Sequence, residues 1–124
     1  MIYFRKQILV VDDELSIHKL LSYLLSKDYD LVIKHNGAEA ISWLEDGNNP
    51  DLILSDLEMP YVDGESFIRS LKFSARHCNI PVILMSGADN LENKVEQMAY
   101  RANFFFKKPF SPAEFKACIT AALG

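Results

Sequence analysis

Apolar residues fall in short blocks along this chain, and the blocks alternate between two spacings. QILVV (7–11) is a β-branched apolar run ending at Asp12, the pattern of a strand buried on both faces in a parallel sheet. Ile17, Leu20, Leu21, Leu24 and Leu25 then recur at helical spacing and predict a helix with one apolar stripe. DLVIKH (30–35) reads as a second strand, and Gly37 to about Asp46 as a helix with Ala38, Ile41 and Leu44 inward. GNNP (47–50) is a turn. DLILS (51–55) is a third strand ending at Asp56, and MPYVDG (59–64) is a loop. A helix over 65–76 carries Phe67, Ile68 and Leu71. IPVILM (80–85) is a fourth strand ending at Ser86. A fourth helix spans 91–101, and NFFF (103–106) is a fifth strand. The last helix opens with Ser111 as N-cap, Pro112 at the first helical position and Glu114 three residues after the cap, a capping box.

Five strand–helix units with short loops imply a parallel sheet covered by helices on both faces. At 124 residues the chain suits one domain over 1–124 with one core. Hydrophobic residues at 49% and charged residues at 24% fit a globular protein. The net charge of -4 and the scattered lysines and arginines argue against direct nucleic-acid binding. No apolar run reaches membrane-spanning length, and MIYFRKQ reverses the order of a signal peptide. Cys78 and Cys118 lie far apart without metal-ligand spacing, so a reducing cytoplasm with free thiols is the expectation.

Ligands of such sheets bind at the carboxyl ends of the strands. Those ends carry Asp12 and Asp13, Asp56, Ser86 and the pair Lys107–Lys108. Two carboxylates about 4 Å apart repel by roughly 4 kcal/mol at an effective dielectric near 20, so the cluster needs compensation. A lysine supplies part of it, and Mg²⁺ held by one or two carboxylates and phosphate oxygens supplies more. The same set suits phosphoryl transfer. An aspartate can be the nucleophile, and the remaining task is positioning and charge neutralisation.

VVDDE, SDLEMPYVDG, LMSGAD and KKPF, in this order and spacing, resemble the receiver domain of two-component response regulators over essentially the whole chain. The resemblance implies a flavodoxin-like, doubly wound (βα)5 fold with a five-stranded parallel sheet of order 2-1-3-4-5. It implies that Asp56 is the phosphoacceptor. Asp12 and Asp13 would hold Mg²⁺ (or Mn²⁺), Asp13 directly and Asp12 largely through water, with Asp56 and the backbone carbonyl of Glu58 completing the metal site. Ser86 and Lys108 would bind the phosphoryl group, with the Lys108–Pro109 peptide cis. Phe105 matches the aromatic switch residue. The domain would catalyse only its own phosphorylation and dephosphorylation. The phosphoryl donor would be a histidine kinase or phosphotransfer protein, and the output would pass to an output domain or downstream protein through the face of helix 91–101, the fifth strand and the last helix. The chain would be either a stand-alone receiver or one cut from a longer protein.

Plainer readings stand beside these: Asp56 as a turn cap, Ser86 as a turn residue, Phe105 as packing. Alternation puts Phe104 and Phe106 on one face of the last strand and Phe105 on the other, and separates a solvated Lys107 from Lys108. His18, His35 and His77 read as surface residues. Arg101 departs from the family pattern, where glycine is common. Glu58 and Ala88 occupy positions that tune dephosphorylation in the family. Two other functions remain: a receiver-like interaction module that is never phosphorylated, and a haloacid-dehalogenase-type phosphatase. The second wants another aspartate two residues after the nucleophile, where this chain has Glu58. A nucleotide-binding flavodoxin-like domain would want a glycine-rich loop after the first strand, where DDELS stands.

Overall fold

Alternate side chains of each central strand enter two different apolar layers, and this decides the architecture. The computed structural model describes residues 5–59, 63–87, 104–108 and 110–123. Five strands pair in parallel in the order β2-β1-β3-β4-β5: β1 Gln7–Val11, β2 Asp30–Lys34, β3 Leu52–Asp56, β4 Val82–Ser86 and β5 Phe104–Lys107. Leu9 and Val11 of β1, Ile53 of β3 and Leu84 of β4 face one way. They pack under helices α2 (Gly37–Glu45) and α3 (Gly64–Lys72), against Ala40, Leu44, Phe67, Ile68 and Leu71. Ile8 and Val10, Leu52 and Leu54, Ile83 and Met85 face the other way. They meet α1 (Leu15–Leu25) and the C-terminal helix Pro112–Leu123 through Leu21, Leu25, Phe115 and Ile119. So one sheet serves two cores, and the runs that looked apolar on both faces are buried on both faces.

Capping sets the helix starts. Asn36 accepts the Glu39 N–H at 2.9 Å, and Asp63 accepts the Ser66 N–H at 2.8 Å. Ser111 Oγ accepts the Glu114 N–H at 3.4 Å, the cap half of the expected box.

Several sequence expectations shift. The α1 stripe buries Ile17, His18, Leu21, Leu24 and Leu25, while Leu20 is exposed. Each residue turns the helix by about 100°, so the buried set centres near Leu21. Leu20 then falls well outside the stripe and His18 on its rim. Helix α3 ends at Lys72 rather than 76, because Phe73, Ser74, His77 and Cys78 close successive turns onto Arg69, Leu71 and Ser74 carbonyls. His77 is buried there, between Ser74 Oγ and the Asn48 carbonyl. An imidazole with a partner for each nitrogen is readily buried. Phe106 packs edge-on against Phe115 and Phe110, as the alternation expects, but Phe104 is exposed at the start of the edge strand β5. The helix expected over 91–101, Ala88, Arg101 and Pro109 with its peptide bond lie outside the described residues.

Among the described residues no helix is long and apolar enough to cross a membrane. Cys78 and Cys118 are free thiols.

Candidate functional site

Parallel pairing brings the carboxyl ends of β1, β3, β4 and β5 to one edge of the sheet. Asp12 follows β1 directly, and its N–H continues the ladder onto Lys34 O at 3.1 Å. Asp56 is the last residue of β3, opposite Met85 of β4. After β5 the Lys108 N–H donates to Ser86 O at 2.7 Å, which turns Lys108 across the sheet edge. Gly64 completes the frame. A Cβ there would stand 2.7 Å from Leu57 Cα and 2.8 Å from Asp56 O, so only glycine lets α3 start this close to the acceptor strand.

The result is a compact charged nest. One carboxylate oxygen from each of Asp12, Asp13 and Asp56 lies within 4.8 Å of the others. Asp12 is 0% exposed and Asp56 5%, whereas Asp13 faces solvent. Lys108 Nζ stands 3.0 Å from Asp12 Oδ2, 3.3 Å from Glu14 Oε1 and 3.7 Å from Asp56 Oδ2. Asp12 Oδ1 accepts the Glu14 N–H at 2.9 Å. Ser86 is fully buried beside this group, and Glu58 is exposed with its N–H 3.4 Å from Asp56 Oδ1.

The electrostatics follow from this placement. Burial pushes the Asp56 carboxyl up to about 6; the Lys108 charge pulls it down, Asp12 pushes it up, and the Glu58 N–H pulls it down. Burial alone would lower Lys108, but its hydrogen bond to Asp12 and the charges of Asp12, Asp56 and Glu14 win, and its pKa stands above the ordinary lysine value. One ammonium against three clustered carboxylates leaves negative charge over. Three hard oxygen donors with one open, solvent-facing member suit a small divalent cation such as Mg²⁺.

The structure therefore gathers Asp12, Asp13, Asp56, Ser86 and Lys108 at one edge, as their strand-end positions predict, with Glu58 beside them. Lys107 is exposed while Lys108 is half-buried in the nest, so alternation separates the two lysines as expected. Phe105 is 43% exposed on the α2–α3 side of β5, paired with Leu84.

Two residues go beyond the sequence reading. Glu14 adds a second carboxylate to Lys108, although it stands in plain view in VVDDE. His18, expected at the surface, is 7% exposed and donates its Nε2–H to the main-chain oxygen of Asp12. Its position on the rim of the α1 stripe is the only sequence signal for that contact.

Comparison with known proteins agrees with this geometry. The family model described as "Response regulator receiver domain" matches residues 8–120. The alkaline phosphatase synthesis transcriptional regulatory protein PhoP of Bacillus subtilis is 36% identical over 119 residues, covering 95% of this chain and 48% of PhoP. This chain thus spans about half the length of the curated relatives it matches. Among solved structures, chemotaxis response regulator CheY4 of Vibrio cholerae superposes with a TM-score of 0.87 at 26% identity, over 97% of this chain and all of CheY4. The receiver domain of sensor histidine kinase PA1611 from Pseudomonas aeruginosa, solved with a magnesium ion in its active-site cleft, shares the fold with a TM-score of 0.87 at 24% identity, over 98% of this chain and 99% of that one. Neither the phosphatase nor the unphosphorylated-module reading is favoured by these matches. Together with the strand order and the acidic edge, they establish that this chain belongs to the response regulator receiver domain family, a family of regulatory domains.

Proposed function

We propose that Asp56 accepts a phosphoryl group and that the domain is a switch read out by another domain or protein. The observation that carries this is the nest itself: a buried carboxylate at the end of β3, with a lysine 3.7 Å away that also grips Asp12 at 3.0 Å. A buried ion-pair cluster this costly is a poor way to stabilise a fold, and a good way to hold a nucleophile beside a charge clamp.

In the reaction, an Asp56 carboxylate oxygen attacks phosphorus and forms the new P–O bond. The P–N bond of a partner's phosphohistidine breaks, and its electron pair and a proton end on the imidazole. With a small phosphodonor the bond broken is P–O. Asp12, Asp13, Asp56 and the Glu58 carbonyl would hold Mg²⁺ or Mn²⁺. That ion, when bound, neutralises the phosphoryl oxygens. Lys108 leaves part of its Asp12 contact to bind a phosphoryl oxygen, and the Ser86 hydroxyl binds another. Phe105 then packs inward, which changes the face expected of helix 91–101, β5 and the last helix. This is a two-state element biased by local charge.

On this reading the chain catalyses only its own phosphorylation and dephosphorylation. Residues 1–124 act as one receiver unit. The donor is a histidine kinase or phosphotransfer protein, and the recipient is an output domain or downstream protein. A cytoplasmic setting fits two free thiols and such a kinase. The chain itself binds neither nucleic acid nor membrane in this scheme.

The test is labelling with a radioactive small phosphodonor and Mg²⁺. Wild type takes up close to one phosphoryl group per chain, and Asp56→Asn takes up none. Stoichiometric labelling of Asp56→Asn overturns the assignment.

A further inference from the structure

Asp12 is held on every polar side. Its N–H bonds Lys34 O, its two carboxylate oxygens bond the Glu14 N–H and Lys108, and its carbonyl accepts the His18 Nε2–H. The last contact is the one that the acidic motif does not contain. It comes from the first turn of α1, where side chains lean back toward the helix N-terminus. That lean aims the imidazole at the strand end. The ring is buried, and His35 meets it edge-on with centroids 5.2 Å apart. His35 is itself tied to Glu39, whose Oε2 also accepts the His35 N–H at 3.1 Å. His18 is therefore braced from behind as well as bonded in front.

The Asp12 carbonyl and the Asp13 N–H belong to one planar peptide unit. Fixing that carbonyl fixes the plane from which Asp13 departs. Asp13 is the exposed member of the acidic set, so its aim depends on its backbone more than on neighbours.

We propose that His18 is a positioning residue for the divalent cation: by bonding the Asp12 carbonyl it fixes the peptide between Asp12 and Asp13, and so aims both carboxylates at one metal. The proposal rests on the receiver reading of the acidic nest. Groups that orient metal ligands in this way are typically worth 10–100-fold in metal affinity.

The test is Mg²⁺ titration by calorimetry on the purified chain, with thermal unfolding in metal-free buffer alongside. Glutamine can present its amide N–H where Nε2 sits; asparagine is too short and leucine has no donor. His18→Leu and His18→Asn are expected to raise the Mg²⁺ Kd about tenfold, and His18→Gln to stay within about twofold of wild type. If His18→Leu does not fold, the Gln–Asn pair decides. A role in packing alone would lower the melting temperature and leave the Kd of the folded variants unchanged, and that result overturns the proposal. So does a glutamine variant no better than asparagine. Phosphodonor labelling is read separately. Wild type that binds Mg²⁺ but takes no phosphoryl group overturns the phosphoacceptor reading, and the ranking of affinities still decides the role of His18. Wild type that binds no Mg²⁺ overturns both.

Discussion

Asp56 sits in an environment that disfavours its own charge, and this has a consequence for pH. Its carboxyl titrates near 6 in the folded, metal-free chain and near 3.8 when exposed. Between those values the folded chain binds more protons than the unfolded one, so stability is fully present below the lower value and is lost as pH rises toward 6. The loss is on the order of 2–3 kcal/mol. Asp56→Asn removes it. In metal-free denaturant unfolding the variant should exceed wild type by about that amount at pH 7, with the gap narrowing toward pH 4. An equal gap at both pH values would mean that burial of charge is not the cause. The nucleophile itself needs the carboxylate, so labelling should also slow as pH falls through about 6 at low Mg²⁺, and less so at saturating Mg²⁺. Most of this was visible in the chain as text. Asp12, Asp13, Asp56, Ser86 and Lys108 each follow an apolar run, and a polar residue at such a boundary is legible in the sequence. His18 did not read out, because its contact depends on where a helix rim meets a strand end. The same holds for the buried His77, whose partners Ser74 and Asn48 come from two different turns.

At the scale of elements, the site depends on close approach between α3 and β3. Gly64 allows it, with its N–H on Leu57 O at 2.8 Å and no room for a methyl group. Gly64→Ala should cost about 1–3 kcal/mol of stability by forcing backbone apart. It should also lower labelling at saturating Mg²⁺, since Asp56 O is one of the atoms displaced. Unfolding and labelling measured together check both. Unchanged labelling in a destabilised chain would separate the fold from the site. Strands and helices were legible because the two spacings differ so clearly, and every described strand lies within two residues of its expected bounds. Ends were harder. Helix α3 stops where turns at Phe73 and Ser74 compete with continued helix, and its apolar face gives no hint of that competition. Phe104 shares its parity with Phe106, yet an edge strand has a flank that the pattern cannot see.

For the whole molecule, the surplus negative charge at the sheet edge couples folding to metal. A ligand present at about a hundred times its Kd stabilises the form that binds it by roughly 2.7 kcal/mol. Mg²⁺ should accordingly raise the melting temperature, and Asp13→Asn should blunt the rise; scanning fluorimetry with and without Mg²⁺ would show it. A rise of equal size in both chains would place the ion elsewhere. The topology was readable once the chain was seen as repeating strand–helix units, since a parallel sheet leaves only one end for chemistry. Finally, the lysine that answers Asp12 comes 96 residues later in the chain. Growth from the N-terminus thus makes the acidic half of the nest long before its cationic half exists. Until β5 docks, Lys108 cannot answer Asp12 and Asp56, so a chain in which β5 is not yet in place is more repulsive at this edge and thirstier for divalent cations than the folded domain.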